Sequence, residues 1–200
     1  LALSRSRSAP HQIALHRPSI PAPSFVLHMG IEIVSAVDTS AVIRSSDDAL
    51  YFDPVLRTSY YNYYYSYGRH FRPKRIYEIG VRDGYTAYFM MLGAGTVQAY
   101  RGIDLETYAL GSNVRAAALL RTLCPDVQLQ LRDSHALADL GGLYDLIHVD
   151  GDHSYNGKMA DLDLALRSLA EGGVIVVDDC YPQGPKDAVF RATKDFCASH

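Results

Sequence analysis

From residue 75 onward, short apolar runs alternate with longer stretches of helical period. Arg75-Ile76-Tyr77-Glu78-Ile79-Gly80 reads as a buried strand ended by glycine, and residues 84–93 read as a helix. Residues 97–104 predict a second strand, 110–123 a helix closed by Pro125, and 127–131 a third strand. Residues 135–140 predict a short helix ended by Gly141-Gly142. A fourth strand follows at 144–149, a helix at 156–170 ended by Gly172-Gly173, a fifth strand at 174–177 and a last helix at 185–198. Upstream, Tyr60, Tyr63, Tyr64 and Tyr67 share one face at helical spacing. That face packs a helix on the body; the alternative is an aromatic lid over a ligand.

Strand and helix in strict alternation predict an α/β fold, a Rossmann-like doubly wound sheet, mostly parallel, with helices on both faces. Right-handed crossovers put every strand C-terminus on one edge, where open α/β sheets bind their ligands. Gly80, Asp104, Asp133, Asp150 and Asp178 then stand at or just past strand tips.

Composition narrows this further. The chain has 200 residues, 48% hydrophobic and 20% charged, which suits a globular domain. A net charge of -3 gives no global basic field for nucleic acid, and no apolar run is long enough for a membrane span. Cys124, Cys180 and Cys197 are an odd, widely spaced set, which fits a reducing compartment such as the cytoplasm. Residues 1–31 have no Asp, Glu or Lys but carry Arg5, Arg7, Arg17 and prolines at 10, 18, 21 and 23. They read as a basic tail without packed structure. Such a leader also fits an organelle transit peptide, but no amphipathic helix is visible, so an extension upstream of Met29 is the plainer reading. The expected divisions are therefore a tail at 1–31, a lid segment at 32–74 and the α/β domain at 75–200.

The first turn, Gly80-Val81-Arg82-Asp83-Gly84, lets the backbone bend sharply and the helix start close by. Arg82 stands where a dinucleotide fingerprint needs its second glycine, which disfavours a pyrophosphate cradle and a nicotinamide dehydrogenase. Glu78 would repel a pyrophosphate but could accept from an amine. Asp104, at the second strand tip, is placed for ribose hydroxyls. Asp133 and Ser134 are placed for an adenine edge. Asp150, Asp178 and Asp179 end adjacent strands. At ~4 Å and an effective dielectric near 20, each like-charge pair costs roughly 4 kcal/mol. A hard cation such as Mg²⁺ would offset this. His153, three residues past Asp150, suits a general base for a hydroxyl whose pKa a metal has lowered. His148 lies inside the fourth strand and is expected to bond within the sheet.

Taken together, Tyr77-Glu78-Ile79-Gly80-Val81-Arg82-Asp83-Gly84, Gly102-Ile103-Asp104, Asp133-Ser134, Asp150-Gly151-Asp152-His153-Ser154-Tyr155 and Gly172-Gly173-Val174-Ile175-Val176-Val177-Asp178-Asp179 resemble the class I S-adenosylmethionine-dependent methyltransferases. The last two runs look like those of the metal-dependent O-methyltransferases that act on sugars of macrolide and aminocoumarin natural products, and of their relatives of unknown substrate. The resemblance spans residues 67–195 and implies S-adenosyl-L-methionine as cofactor. It places the Gly80–Gly84 loop with Arg82 around the methionine part, Asp104 on the ribose and Asp133 beside the adenine. It makes His153 the base and Asp150, Asp178 and Asp179 the Mg²⁺ ligands. The partner implied is a small-molecule hydroxyl acceptor, a sugar or a phenol. A metal-independent relative and an inactive nucleotide-binding module are the alternatives. The fold usually ends with two further strands, so the sheet is expected to lack them here or to be completed by a second copy in a homo-oligomer.

Overall fold

Side chains alternate across a strand, and here the central strands of the sheet feed two cores at once. The structure, a computed structural model, describes residues 13–16, 31–32, 37, 42, 52–53, 58–107, 110–180 and 187–200. Its strands are β1 (Ile13–His16), β2 (Phe52–Asp53), β3 (Thr58–Ser59), β4 (Arg75–Ile79), β5 (Ala99–Asp104), β6 (Val127–Leu131), β7 (Tyr144–Val149) and β8 (Leu169–Val177). Its helices are α1 (Tyr61–Phe71), α2 (Tyr85–Ala94), α3 (Ser112–Leu120), α4 (Tyr155–Arg167) and α5 (Asp187–Ser199). Ile76, Tyr100, Leu146, Val174 and Val176 pack against tyrosines of α1 and apolar residues of α2 and α3. Tyr77, Ile79, Ile103, Ile147, Val149, Ile175 and Val177 pack against α4 and α5. Both faces of the sheet are thus covered, as its near-continuous apolar strands require.

The main sheet runs β1-β8-β7-β4-β5-β6, with β4 through β8 parallel; β2 and β3 form a separate pair. The chain first winds outward from β4 to β6, then returns to build β7 and β8 on the other side of β4. The reversal falls between β4 and β7, and it opens a crevice above their C-terminal ends. Registers are matched there: Ile79 pairs with Ile103 and Val149, and Val149 with Val177. Gly80, Asp104, Asp150 and Asp178 each follow one of these aligned residues.

Several expectations are corrected. Residues 1–31 read as a tail without packed structure, yet Ile13–His16 pairs antiparallel with β8, from Ile13 opposite Val177 to His16 opposite Val174. This proline-free run lies between Pro10 and Pro18 and covers the edge of β8 that the sequence leaves open. The rest of 1–30, with the transit-peptide reading, lies outside the described residues. The helix expected at 135–140 is only a 3-10 turn, Ser134–Ala136, because Leu137 is already extended. The helix expected to reach Ala170 stops at Arg167, and β8 starts before the double glycine. Tyr144 pairs with Leu169, but Leu146 pairs with Val174 rather than Glu171, so Gly172-Gly173 form a bulge inside the strand.

The tyrosine run does form a helix. Tyr63, Tyr64 and Tyr67 are buried in the core shared with α2, and Tyr60 precedes the first turn. No helix among the described residues is long and apolar enough to cross a membrane.

Candidate active site

The strand tips surround an open cleft of about 910 Å³. Gly80, Arg82, Gly84, Asp104, Asp133 and Ser134 line one part of it, and Asp150, His153, Asp178 and Asp179 line another. Tyr60 and Tyr61 reach it from the start of α1.

Gly80 makes the crossing of β4 into the cleft possible. Its φ is +87°, and a Cβ there would stand 2.2 Å from the Asp150 carbonyl oxygen. Beyond it, the Val81 and Arg82 amides both donate to Asp104 Oδ2 at 2.8 Å. Asp104 Oδ1 accepts the Glu106 amide at 2.5 Å. Asp104 therefore shapes the loop, and of its roughly four acceptor positions one on Oδ1 remains for a ligand hydroxyl. Arg82 takes a left-handed φ of +50°, held by that carboxylate. Asp83 pairs with Arg115 at 2.8 Å and ties the loop to α3.

Glu78 is not where the sequence reading puts it. It is fully buried beneath the cleft, on the α1 and α2 side of the sheet. Thr86 Oγ1 donates to it at 2.7 Å, the Tyr100 hydroxyl donates to its other oxygen, and His148 Nδ1 lies 2.7 Å away. Its carboxylate is consumed inside the core, so it is not available to a donor amine. His148 accordingly bonds within the sheet, as expected. Burial pushes its pKa down, and the Glu78 bond and charge outweigh burial and leave it raised.

On the far side, Asp133 accepts the His135 amide at 2.9 Å, and its side chain is about half exposed to the cleft. Ser134 Oγ is already committed, donating to Asp161 Oδ1 at 2.7 Å. An adenine edge would meet Asp133 and the backbone here rather than the Ser134 hydroxyl.

The acidic end is more compact. His153 Nε2 lies 3.3 Å from Asp150 Oδ1 and 3.5 Å from Asp179 Oδ2. Ligand atoms of these three residues all fall within 4.8 Å of one another. Burial, and then the Asp178 charge, raise the Asp150 pKa to about 6. Asp179 has a φ of +56°, a strained backbone at the point where its carboxylate turns toward the cleft.

Asp178 is the second correction. It is nearly buried, and both its oxygens are engaged: Oδ1 accepts the Asp179 amide at 2.8 Å and Oδ2 accepts the Tyr60 hydroxyl. Tyr60 also lies 2.6 Å from the Tyr64 hydroxyl. Among the described residues, the cluster whose ligand atoms converge is Asp150, Asp179 and His153; Asp178 lines the same cleft but gives its oxygens to Tyr60 and the Asp179 amide. Asp152 belongs to the start of α4. It accepts the Ser154 amide at 2.7 Å, which holds its carboxyl below the usual range, and Ser154 caps α4 by accepting from the Gly157 amide.

The sequence reading overlooked two residues. Glu106 accepts the Gly111 and Asn113 amides and so caps α3 from outside the helix. Asp161 is a fully buried carboxylate one turn beyond the equally buried Lys158, and two opposite charges at helical spacing beside Leu162, Leu164 and Ala165 were the available signal.

Residues 77–180, just over half of the chain, match a family model described as a methyltransferase domain. The chain belongs to this methyltransferase family. Solved structures agree on the fold. Cofactor-bound Rv0187 from MTB is 22% identical with a TM-score of 0.52, covering 66% of this chain and 64% of that one. The O-methyltransferase TomG from Streptomyces achromogenes, involved in tomaymycin synthesis and solved with S-adenosylmethionine, is 20% identical with a TM-score of 0.51, covering 68% and 65%. The Bacillus cereus O-methyltransferase, in complex with S-adenosylhomocysteine, is 16% identical with a TM-score of 0.51, covering 74% and 69%. The first two alignments span slightly less than two thirds of those chains. No curated protein matches this sequence.

Proposed function

We propose that this protein is an S-adenosylmethionine-dependent O-methyltransferase acting on a hydroxyl of a small molecule. The observation that carries the reading is the single cleft that joins the Gly80–Gly84 turn and Asp104 to the Asp150, His153 and Asp179 cluster. When bound, S-adenosylmethionine supplies an activated methyl group, which passes to the acceptor oxygen as the hydroxyl proton leaves, giving S-adenosylhomocysteine. The protein's task is alignment and proton removal, and alignment supplies most of the rate. The Gly80 turn, with the loop that Asp104 holds in shape, positions the methionine and ribose parts. Asp133 faces the adenine.

The donor set fits a hard divalent cation. Two carboxylates and an imidazole converge, and burial, then the Asp178 charge, raise the Asp150 pKa, a cost that a cation would offset. Asp150 and Asp179 would hold Mg²⁺, whose charge lowers the pKa of a hydroxyl beside it. His153, with about a third of its side chain exposed, takes the proton from that hydroxyl. The acceptor class favoured is a sugar, because an aliphatic hydroxyl needs both the cation and the base, whereas a phenol near ~10 needs less. CalS11, a TDP-rhamnose 3′-O-methyltransferase, is 18% identical with a TM-score of 0.51 and is in keeping with this choice. A second reading makes His153 a third ligand, favoured by the approach of its Nε2 to both carboxylates, at 3.3 and 3.5 Å.

Calorimetric titration with S-adenosylhomocysteine, with and without Mg²⁺, tests the proposal. Saturable binding is expected, together with turnover that stops in EDTA. No binding in either condition defeats the cofactor assignment, and full turnover in EDTA defeats the metal assignment.

A further inference from the structure

Asp161 projects from the second turn of α4 into the space between two separate strand-edge loops. Its carboxylate is fully buried. Oδ1 accepts the Ser134 hydroxyl at 2.7 Å, in the turn after β6, and His135 Nε2 lies 3.6 Å from the same oxygen. Oδ2 accepts the Asp152 amide at 3.2 Å, in the loop after β7. The close fit extends to Gly151, where an added Cβ would stand 2.6 Å from Oδ2. Lys158, one turn earlier and also fully buried, donates to the Val149 carbonyl at 3.3 Å. Its charge acts on Asp161 and Asp150 alike.

We propose that Asp161 is a positioning residue that locks the Asp133–Ser134 turn and the Asp150–His153 loop into one relative placement, so that the purine side of the cofactor and the reacting groups keep a fixed separation. This rests on the methyltransferase reading above. Asp161 touches neither the cleft nor a reacting atom, since it is absent from the lining. Its geometry nonetheless bridges two loops that both line the cleft. Two strong acceptors on one rigid helix do this with two hydrogen bonds, and burial keeps water from competing for either.

The test uses the full chain and four proteins: wild type, Asp161→Ala, Asp161→Asn and Ser134→Ala. S-adenosylhomocysteine affinity is measured by calorimetry well below the unfolding temperature, and amide exchange is followed over 132–137 and 150–155. Asp161→Ala is expected to weaken affinity by about 10-fold or more and to speed exchange in both segments together. Asp161→Asn retains an oxygen for the Asp152 amide and an NH₂ that can donate to Ser134, so affinity within about threefold of wild type is expected. Ser134→Ala removes one arm and should speed exchange only over 132–137. A purely structural Asp161 would instead lower the unfolding temperature and leave affinity and the paired exchange unchanged, which overturns the inference. If Asp161→Ala does not fold, Ser134→Ala decides: unchanged exchange over 132–137 overturns it, and faster exchange there supports it. If wild type binds no S-adenosylhomocysteine, the methyltransferase reading fails, while the exchange pattern still judges the loop coupling on its own.

Discussion

Each carboxylate in this protein answers to its immediate neighbours, and those neighbours separate roles that the sequence presents as equivalent. Asp150 and Asp179 face the cleft and one imidazole, whereas Asp178 is occupied by Tyr60 and a backbone amide. Asp179→Asn should therefore abolish turnover, because it removes a charge that converges on the reacting position. S-adenosylhomocysteine affinity should stay within about threefold, since the Gly80 turn and Asp104 are untouched. His153→Ala separates the two readings of that side chain: Mg²⁺ affinity measured by calorimetry is kept if the ring is the base and drops by about 10-fold or more if it is a ligand. Glu78 is a different case. It satisfies Tyr100 and His148 in the core and the half-buried Thr86 at its edge, so Glu78→Ala leaves two buried partners unpaired and should cost about 3–5 kcal/mol in chemical unfolding. Glu78 stabilises the protonated ring of His148, which therefore holds its proton more tightly folded than unfolded. That stability is complete below the unfolded value near ~6.5 and is lost as pH rises through the folded value. Thermal unfolding across pH 5.5 to 8.5 should show the decline in wild type, and the decline should be weaker in Glu78→Gln.

Among the elements, α1 has a role that its apolar pattern only half reveals. Helical spacing predicts the packing face, and Tyr63, Tyr64 and Tyr67 are buried accordingly. That spacing is silent about Tyr60, whose hydroxyl meets a carboxylate 118 residues away in the chain. The strand tips are legible because they obey local rules: a strand pattern, then glycine or aspartate at the turn, repeated with parallel topology. Glu78 misleads because the same motif position can face the cleft or the core, and strand parity alone did not say which core held a polar cluster. The 3-10 turn at Ser134–Ala136 and the bulge at Gly172-Gly173 depend on pairing between distant strands, which single-sequence periodicity does not contain. Desolvation, then the Asp178 charge, raise the Tyr60 phenol well above its usual value, so it remains a donor to that carboxylate. Tyr60→Phe removes this donor with little change in shape. It should destabilise the fold by only about 1 kcal/mol, while turnover falls by about 10-fold as Asp178 is freed beside Asp150 and Asp179. Equal turnover in the two proteins would show that the start of α1 is only packing.

At the scale of the whole molecule, the aligned tips of β4, β5, β7 and β8 assemble the site from residues as far apart as Gly80 and Asp179. A ligand seated there is bound by the native sheet and by nothing in the unfolded chain. Ligand concentration at 100 times Kd should then stabilise the protein by about 2.7 kcal/mol. For a chain of this size that corresponds to a rise of roughly 5–10 °C in unfolding temperature. S-adenosylhomocysteine should produce this shift at saturation. A nicotinamide dinucleotide at the same concentration should not, because Arg82 replaces the glycine that would let backbone approach a pyrophosphate, and the neighbouring amides are already given to Asp104. Differential scanning fluorimetry with the two ligands side by side reads both arms in one experiment. A shift with the dinucleotide and none with S-adenosylhomocysteine would mean that the cleft reads phosphate rather than a sulfur-bearing nucleoside, and the assignment of the Gly80 turn would have to be given up.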